Sequence, residues 1–164
     1  MKQPRITIPA NRGNRILEGT ALLLLISLWT IALISFRTLP DSIPVHFSLK
    51  GIPDRFGDRS SIFILPAIAT AIVVTLQILI RFPHTFSYPK KVDEHNAEEM
   101  YSIATRLIRW MQFGAGASFL VCLIVVLISV KSGHPAYIPF ALASALILFL
   151  APIAVSTVKI LRVS

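Results

Sequence analysis

The sequence has few charged residues and a single cysteine. Asp, Glu, Lys and Arg make up 15% of its 164 residues, and 54% of its residues are hydrophobic. A soluble domain has about 25% charged residues, so this composition excludes an ordinary soluble fold. One thiol, Cys122, excludes an intramolecular disulfide and a metal–thiolate cluster. Because Cys122 lies within an apolar run, we expect it to serve as a small packing residue.

Acidic residues are particularly scarce. There are 8 of them against 16 Lys and Arg, which gives a net charge of +8. In a soluble chain this excess would point to nucleic acid. Here most of the cations lie within a few residues of apolar runs, where such side chains contact lipid headgroups. The expected partner is therefore the lipid bilayer, and no nucleic-acid partner is predicted.

Long polar stretches are also rare, because four apolar runs occupy most of the chain. Each run is close to the roughly 20 residues that cross a hydrocarbon core. The runs predict an all-α membrane protein with four transmembrane helices, which form one integral membrane domain over residues 1–164. The predicted spans are residues 17–36, 62–80, 110–130 and 138–158. Prolines in the basic N-terminal arm predict that no stable helix begins before Arg15.

The stretch before the third run is amphipathic. Apolar side chains recur at helical spacing from Met100 to Met111, with charged residues off that face. A helix on the membrane surface that leads into the third span is the simpler interpretation. The alternative is one long helix over residues 96–130 that protrudes into the cytosol.

Within the third span, Gly114 and Ser118 lie four residues apart. Small residues at this spacing allow two helix backbones to approach closely, so the pair is a candidate for helix packing. Local tolerance of small residues in lipid is an equally good interpretation.

The positive charges are distributed unevenly about the predicted spans. Most of them lie in the N-terminal arm, the middle connection and the C-terminal tail, which share one side. Lys and Arg accumulate on the cytoplasmic side of membrane proteins. The sequence therefore predicts a multi-pass protein of the cell membrane with both termini in the cytoplasm. The loop between the first two spans would then be extracytoplasmic.

That loop, residues 39–59, is the main candidate for function because it is a long polar segment between two apolar runs. Its prolines limit the unfolded ensemble and its glycines permit turns, so we expect an ordered loop. Apolar residues alternate over 43–49, which predicts an extended segment with one face against the helix ends. Residues 50–53 would then turn the chain, and hairpin pairing is allowed but not required. The candidate residues are Pro40, Asp41, Pro44, His46, Phe47, Gly51, Pro53, Asp54 and Gly57.

The loop also carries His46, Asp54 and Asp58. Imidazole with carboxylate could bind a divalent ion or form a proton-responsive pair between about pH 5 and 8. The spacing matches no recognised metal motif, however, and no metal, cofactor or catalytic residue is predicted. In the structural interpretation the aspartates cap turns or pair with Arg55 or Arg59, and His46 hydrogen-bonds across the loop.

The same loop resembles a known family. The resemblance rests on Leu39-Pro40-Asp41, Ile43-Pro44-Val45-His46-Phe47, Gly51, Pro53-Asp54-Arg55-Phe56-Gly57 and Arg59. These residues are similar to the L-P-D-x-I-P-x-H-F/W-x-x-x-G-x-P-D-x-W/F pattern of the bacterial domain of unknown function 1648. The similarity covers about residues 20–65. That domain is also found at the N-terminus of immunity proteins against the sporulation-delaying toxin.

The resemblance implies a bacterial inner-membrane protein with no established enzymatic activity. Some relatives are implicated in toxin immunity or in signalling through a sequestered repressor. This chain departs from the pattern at Ser48, where asparagine is common, and at Phe56, where tryptophan is common. It also has fewer predicted spans than the immunity proteins.

The resulting hypothesis is a non-enzymatic membrane protein whose loop senses or binds an extracytoplasmic ligand or peptide. The alternative is a small transporter or a subunit of a membrane complex, although the span interiors offer few polar groups besides Gln77 and Gln112. A membrane-protein partner and a homo-oligomer both remain open.

Overall fold

The computed structural model describes residues 3–48, 50–132 and 138–163, with side chains from residue 143 onward in the last range. Four long α-helices dominate it: α1 (Arg12–Phe36), α2 (Ile64–Leu79), α3 (Ala97–Ser132) and α4 (Ile138–Arg162). Strands β1 (Ser42–Phe47) and β2 (Pro53–Asp58), then a 3₁₀ turn over Arg59–Phe63, connect α1 to α2. A further 3₁₀ turn, Pro83–Thr85, lies before α3.

The described residues include four helices long and apolar enough to cross a membrane. The predicted four-helix architecture is therefore confirmed, and the ordered element between the first two helices is a small β-hairpin. The chain is a multi-pass membrane protein. The predicted connection after Lys131 lies mostly outside the described residues.

Helix α1 begins at Arg12, three residues before the predicted limit of Arg15. Asn11 is extended and its Oδ1 accepts a hydrogen bond of 2.9 Å from the backbone N–H of Asn14. This side chain satisfies a donor that the first helical turn would otherwise leave unpaired. The prediction was wrong because it weighed the prolines of the arm and overlooked this N-cap.

Helix α3 is uninterrupted over 36 residues. At 1.5 Å per residue it is about 54 Å long, well beyond a hydrocarbon core of about 30 Å. The structure therefore has the single long helix of the alternative interpretation in place of a separate surface helix. Helix α3 packs against α1, α2 and α4 and is the common partner of all three.

The core lies between α1, α2 and α3 and continues beneath the hairpin. Its most deeply buried members come from every one of these elements: Leu28, Ala32, Ile43, Ile62, Ala69, Ala115 and Leu123. Because Ile43 belongs to β1, the hairpin is packed onto the helices and is part of the same core.

Small residues of α3 sit where neighbouring helices come closest. A Cβ added at Gly114 would lie 3.2 Å from the backbone oxygen of Leu148 in α4, and one at Gly116 would lie 3.0 Å from Cβ of Leu24 in α1. Ser118 is buried, and its hydroxyl has no hydrogen-bond partner within the described parts of the chain. Helix α3 thus approaches α4 closely at Gly114 and approaches α1 closely at Gly116.

Candidate functional site at the hairpin

The hairpin forms because its turn matches the local sequence. The backbone N–H of Gly51 donates to the carbonyl of Ser48 at 2.9 Å, and that of Ser48 donates to the carbonyl of Ile52 at 2.9 Å. Gly51 has φ of 78°, in the left-handed region that favours glycine. The two strands then pair antiparallel from Ser42 opposite Asp58 to Phe47 opposite Pro53.

A bulge at Val45 breaks the alternation expected over residues 43–49. The pairing register shifts between Pro44 and His46, where Pro44 has no N–H to donate. Ile43 and Pro44 are consequently both buried, whereas Val45 is 41% exposed. The strict alternation was therefore wrong across the bulge, and its last member, Leu49, lies outside the described residues.

The base of the hairpin is closed by Asp41 and Arg59. The backbone N–H of Arg59 donates to the carbonyl of Asp41 at 3.0 Å, and their side chains form an ion pair of 3.5 Å. The guanidinium also lies 5.2 Å from the centroid of the Phe36 ring, a cation–π distance. These contacts join the end of β2 to the loop after α1.

Asp58 caps the 3₁₀ turn that follows β2. Its Oδ1 accepts a hydrogen bond of 2.8 Å from the backbone N–H of Ser60. Hydrogen bonds from the hydroxyl and the backbone N–H of Ser60 stabilise the carboxylate and lower the pKa of Asp58 below its usual value. The side chain that caps this turn is therefore that of Asp58.

His46 and Asp54 form a pair across the strands. His46 Nδ1 and Asp54 Oδ1 lie 2.5 Å apart, and their side chains are 61% and 47% exposed. An exposed ion pair contributes only about 0 to 1 kcal/mol, so this pair adds little to stability. Asp54 pairs with His46, whereas Arg59 pairs with Asp41. The His46–Asp54 pair faces solvent, where a ligand can reach it.

A cavity of about 450 Å³ lies between the hairpin and helices α2 and α3. This volume falls within the range of small-molecule sites, about 300–1,000 Å³. Most of its lining is apolar, with His46 and Ser61 among the polar members. The lining residues are Ile43, Pro44, Val45, His46, Phe47, Ser61, Ile62, Ile64, Leu65, Cys122, Val125 and Val126. Because the His46 side chain is largely exposed, it marks the mouth of this cavity.

The predicted loop residues divide into three groups around this cavity. Pro44, His46 and Phe47 line it directly. Gly51, Pro53, Asp54 and Gly57 lie in the turn and in β2 and shape the hairpin. Pro40 and Asp41 lie in the connection between α1 and β1, outside the lining. Cys122, expected only to pack, is a half-buried part of the cavity wall.

A layer of polar contacts between α1, α2 and α3 was missed by the sequence reasoning. Arg109 is only 3% exposed, and its Nε donates to Oε1 of Glu18 at 2.6 Å. Gln112 Nε2 donates to Oε1 of Gln77 at 2.7 Å and to the carbonyl of Val73 at 3.2 Å. The sequence pattern gives no sign of a contact between Glu18, at the start of the first predicted span, and Arg109, immediately before the third.

One signal could have revealed this layer. Arg109 and Gln112 are three residues apart and share a helix face with Gly116, which faces α1. Polar residues on a face with small residues point into a bundle more often than into lipid. The layer lies near the start of α1 and the end of α2, away from the hairpin.

The hairpin brings together one histidine and one aspartate. Among residues 3–48, 50–132 and 138–163, no group of three or more His, Cys, Asp or Glu side chains is arranged to hold a metal ion. The arrangement that the described residues offer is an apolar cavity with a polar pair near its mouth.

These features define the chain as a multi-pass membrane protein whose hairpin covers a cavity against α2 and α3. Residues 22–70 match the family model described as Domain of unknown function (DUF1648), which covers most of α1, the hairpin and the start of α2. The resemblance expected over residues 20–65 is thus confirmed for this segment.

A protein of Archaeoglobus fulgidus, named only as an uncharacterized protein, is 41% identical over 69 residues. The aligned region covers 40% of this chain and 37% of the relative, so the chain spans little more than a third of that protein's length. No solved structure matches the chain. This relative comes from an archaeon, and the expectation of a bacterial source for the present chain stays a prediction.

Proposed function

We propose that this chain is a non-enzymatic membrane protein that binds an apolar or amphipathic extracytoplasmic ligand in the cavity beneath its hairpin. The cavity itself is the observation that carries the proposal, because it combines an apolar interior with the exposed His46–Asp54 pair near its mouth. A ligand with an apolar body and one polar group fits this chemistry. A membrane-active peptide is the form of ligand that the resemblance to immunity proteins favours.

The absence of an activated nucleophile in the described site supports a binding role. Ser61 and Cys122 line the cavity with His46, yet no hydrogen bond within the described site joins either side chain to the imidazole. Nucleophilic catalysis needs a base within hydrogen-bond reach of the hydroxyl or thiol. Asp54 holds the His46 imidazole in place, but among the described residues no hydroxyl or thiol lies within hydrogen-bond reach of that imidazole.

Alkylation of the chain's single cysteine tests this proposal. Cys122 lies on the cavity wall, so a bound ligand would shield it from N-ethylmaleimide. The protein is reconstituted in vesicles and the peptide fraction of the source organism's culture medium is the probe. We expect alkylation to slow several-fold in the original chain and less in the His46→Ala variant.

A relocated cysteine provides the matched control. In a Cys122→Ala, Thr85→Cys variant the thiol lies in the exposed connection before α3, away from the cavity lining. Its alkylation should not respond to the peptides. The proposal is wrong if no fraction slows alkylation of Cys122, or if both thiols are slowed equally.

A small transporter or transporter subunit is the second candidate, and the polar layer favours it. Ionisable residues between membrane helices commonly mark transport pathways. Against this, the apolar core between the layer and the hairpin leaves no polar route among the described residues of one protomer. Transport would therefore need an oligomer, and ion flux across vesicles that Arg109→Met abolishes would support it.

A further inference from the structure

A second cavity, of about 380 Å³, lies between α3 and α4. Helix α3 contributes Arg106 and Trp110 to its lining, and α4 contributes Val155, Ser156 and Lys159. Neither the hairpin nor the first cavity shares these residues. This site is therefore independent of the function proposed above.

The charge of this cavity is uncompensated. Within the described residues, neither Arg106 nor Lys159 has a carboxylate within the 4.0 Å of an ion pair. The nearest acidic residues along α3, Glu98 and Glu99, lie about two turns before Arg106. Two cations at one cavity repel each other, so an anion bound between them would be favoured.

The apolar part of the cavity continues into the membrane span. Ile147, Ala151, Val155 and Lys159 follow one another at intervals of four along one face of α4. Ile147 is 65% exposed, so this row is open to lipid along its length. Trp110, on the opposite wall, is of the residue type that sits at the level of lipid headgroups.

From these observations we propose that the cavity between α3 and α4 binds an anionic phospholipid. Arg106 and Lys159 hold the phosphate and its charged headgroup, and the Ser156 hydroxyl offers a further hydrogen bond. One acyl chain runs along the row from Val155 toward Ile147. Basic pockets between membrane helices are known to take such lipids, and the occupant is a lipid of the leaflet on the side of the chain termini.

Fluorescence quenching by brominated lipids tests the site directly. The chain has two tryptophans, so Trp29→Phe leaves Trp110 as the only reporter, on the wall of the cavity. This chain is reconstituted in phosphatidylcholine vesicles that contain increasing fractions of brominated phosphatidylglycerol. Parallel vesicles contain brominated phosphatidylcholine. We expect phosphatidylglycerol to quench Trp110 at the lower mole fraction.

Removal of the two cations should abolish this preference. With about 1 kcal/mol of lipid attraction per cation, Arg106→Gln with Lys159→Gln should weaken the preference for phosphatidylglycerol roughly 30-fold. The matched control is Arg12→Gln with Arg15→Gln, which removes the same charge from the exposed start of α1. That control should retain the preference.

A variant that keeps both cations separates a site from general charge attraction. Ala151→Phe fills the apolar part of the cavity at an exposed position, so the fold should tolerate it. We expect it to reduce quenching by phosphatidylglycerol, because the acyl chain loses its place. Equal quenching by the two lipids, an unchanged preference without the cations, or an equal loss in the control would each overturn the proposal.

Discussion

Gly57 shows how a single residue sets the geometry of the hairpin. A Cβ at this position would lie 2.9 Å from Cγ1 of Val45 and 3.3 Å from Oγ of Ser61. Real side-chain contacts are longer than the first of these distances, and the β-branched Val45 side chain is stiff about its first torsion. The bulged strand can therefore pass this close to β2 only because residue 57 has no side chain.

Gly57→Ala should lower the free energy of unfolding by about 1 to 2 kcal/mol, because Val45 must leave its rotamer or the strands must separate. Thermal unfolding of the purified protein in detergent measures the change. Adding Val45→Ala to the same chain should recover most of the loss, since the clashing methyl groups are then absent.

Gly19→Ala is the matched control for this substitution. Gly19 lies within α1 and a Cβ there would meet nothing within 4 Å. The same chemical change should raise stability by up to about 1 kcal/mol, because alanine favours helix. If Gly57→Ala is as stable as the Gly19→Ala variant, the close approach of Val45 does not constrain the hairpin.

At the scale of the elements, the Glu18–Arg109 pair joins α1 to α3. The two side chains differ in exposure, at 28% for Glu18 and 4% for Arg109. Breaking a buried ion pair is costly because it leaves one charge without a partner, whereas replacing both charges with apolar groups is often neutral. The cost of each single substitution should therefore depend on which charge remains.

Glu18→Leu should destabilise the protein by roughly 3 kcal/mol, because it leaves the deeply buried guanidinium unpaired. Arg109→Met should cost less, since the remaining Glu18 carboxylate can reach water. The double variant should be close to the original chain. Unfolding in detergent gives all three values as a double-mutant cycle. Costs that simply add in the double variant would show that the pair is not coupled.

The helices could be predicted from sequence much better than the contacts between them. Long apolar runs locate spans because only a helix satisfies its backbone within lipid. The turn of the hairpin could also be predicted, because Gly51 permits the left-handed backbone conformation found there. The Glu18–Arg109 contact joins residues 91 positions apart, and no local pattern specifies which helix faces which. The bulge at Val45 and the cavity also depend on packing between distant segments, so neither could be derived from the alternation in β1.

For the whole molecule, the orientation in the membrane is the main open prediction. The distribution of positive charges predicts that the termini lie in the cytoplasm and the hairpin outside. A Cys122→Ala chain with Ser42→Cys, at the exposed start of β1, should react with a membrane-impermeant thiol reagent in intact cells. A Thr85→Cys chain, in the exposed connection before α3, should react only after the cells are opened. The reverse pattern would show that the hairpin is cytoplasmic.

The position of α3 as common partner has a consequence for how the protein is made. Helices α1 and α2 contact each other far less than each contacts α3, and both precede α3 in the chain. During synthesis they enter the membrane before their main neighbour exists. Glu18 and Gln77 must then remain without Arg109 and Gln112 until the third helix arrives. The contacts that hold the first two helices in the bundle can therefore form only after the third helix has entered the membrane.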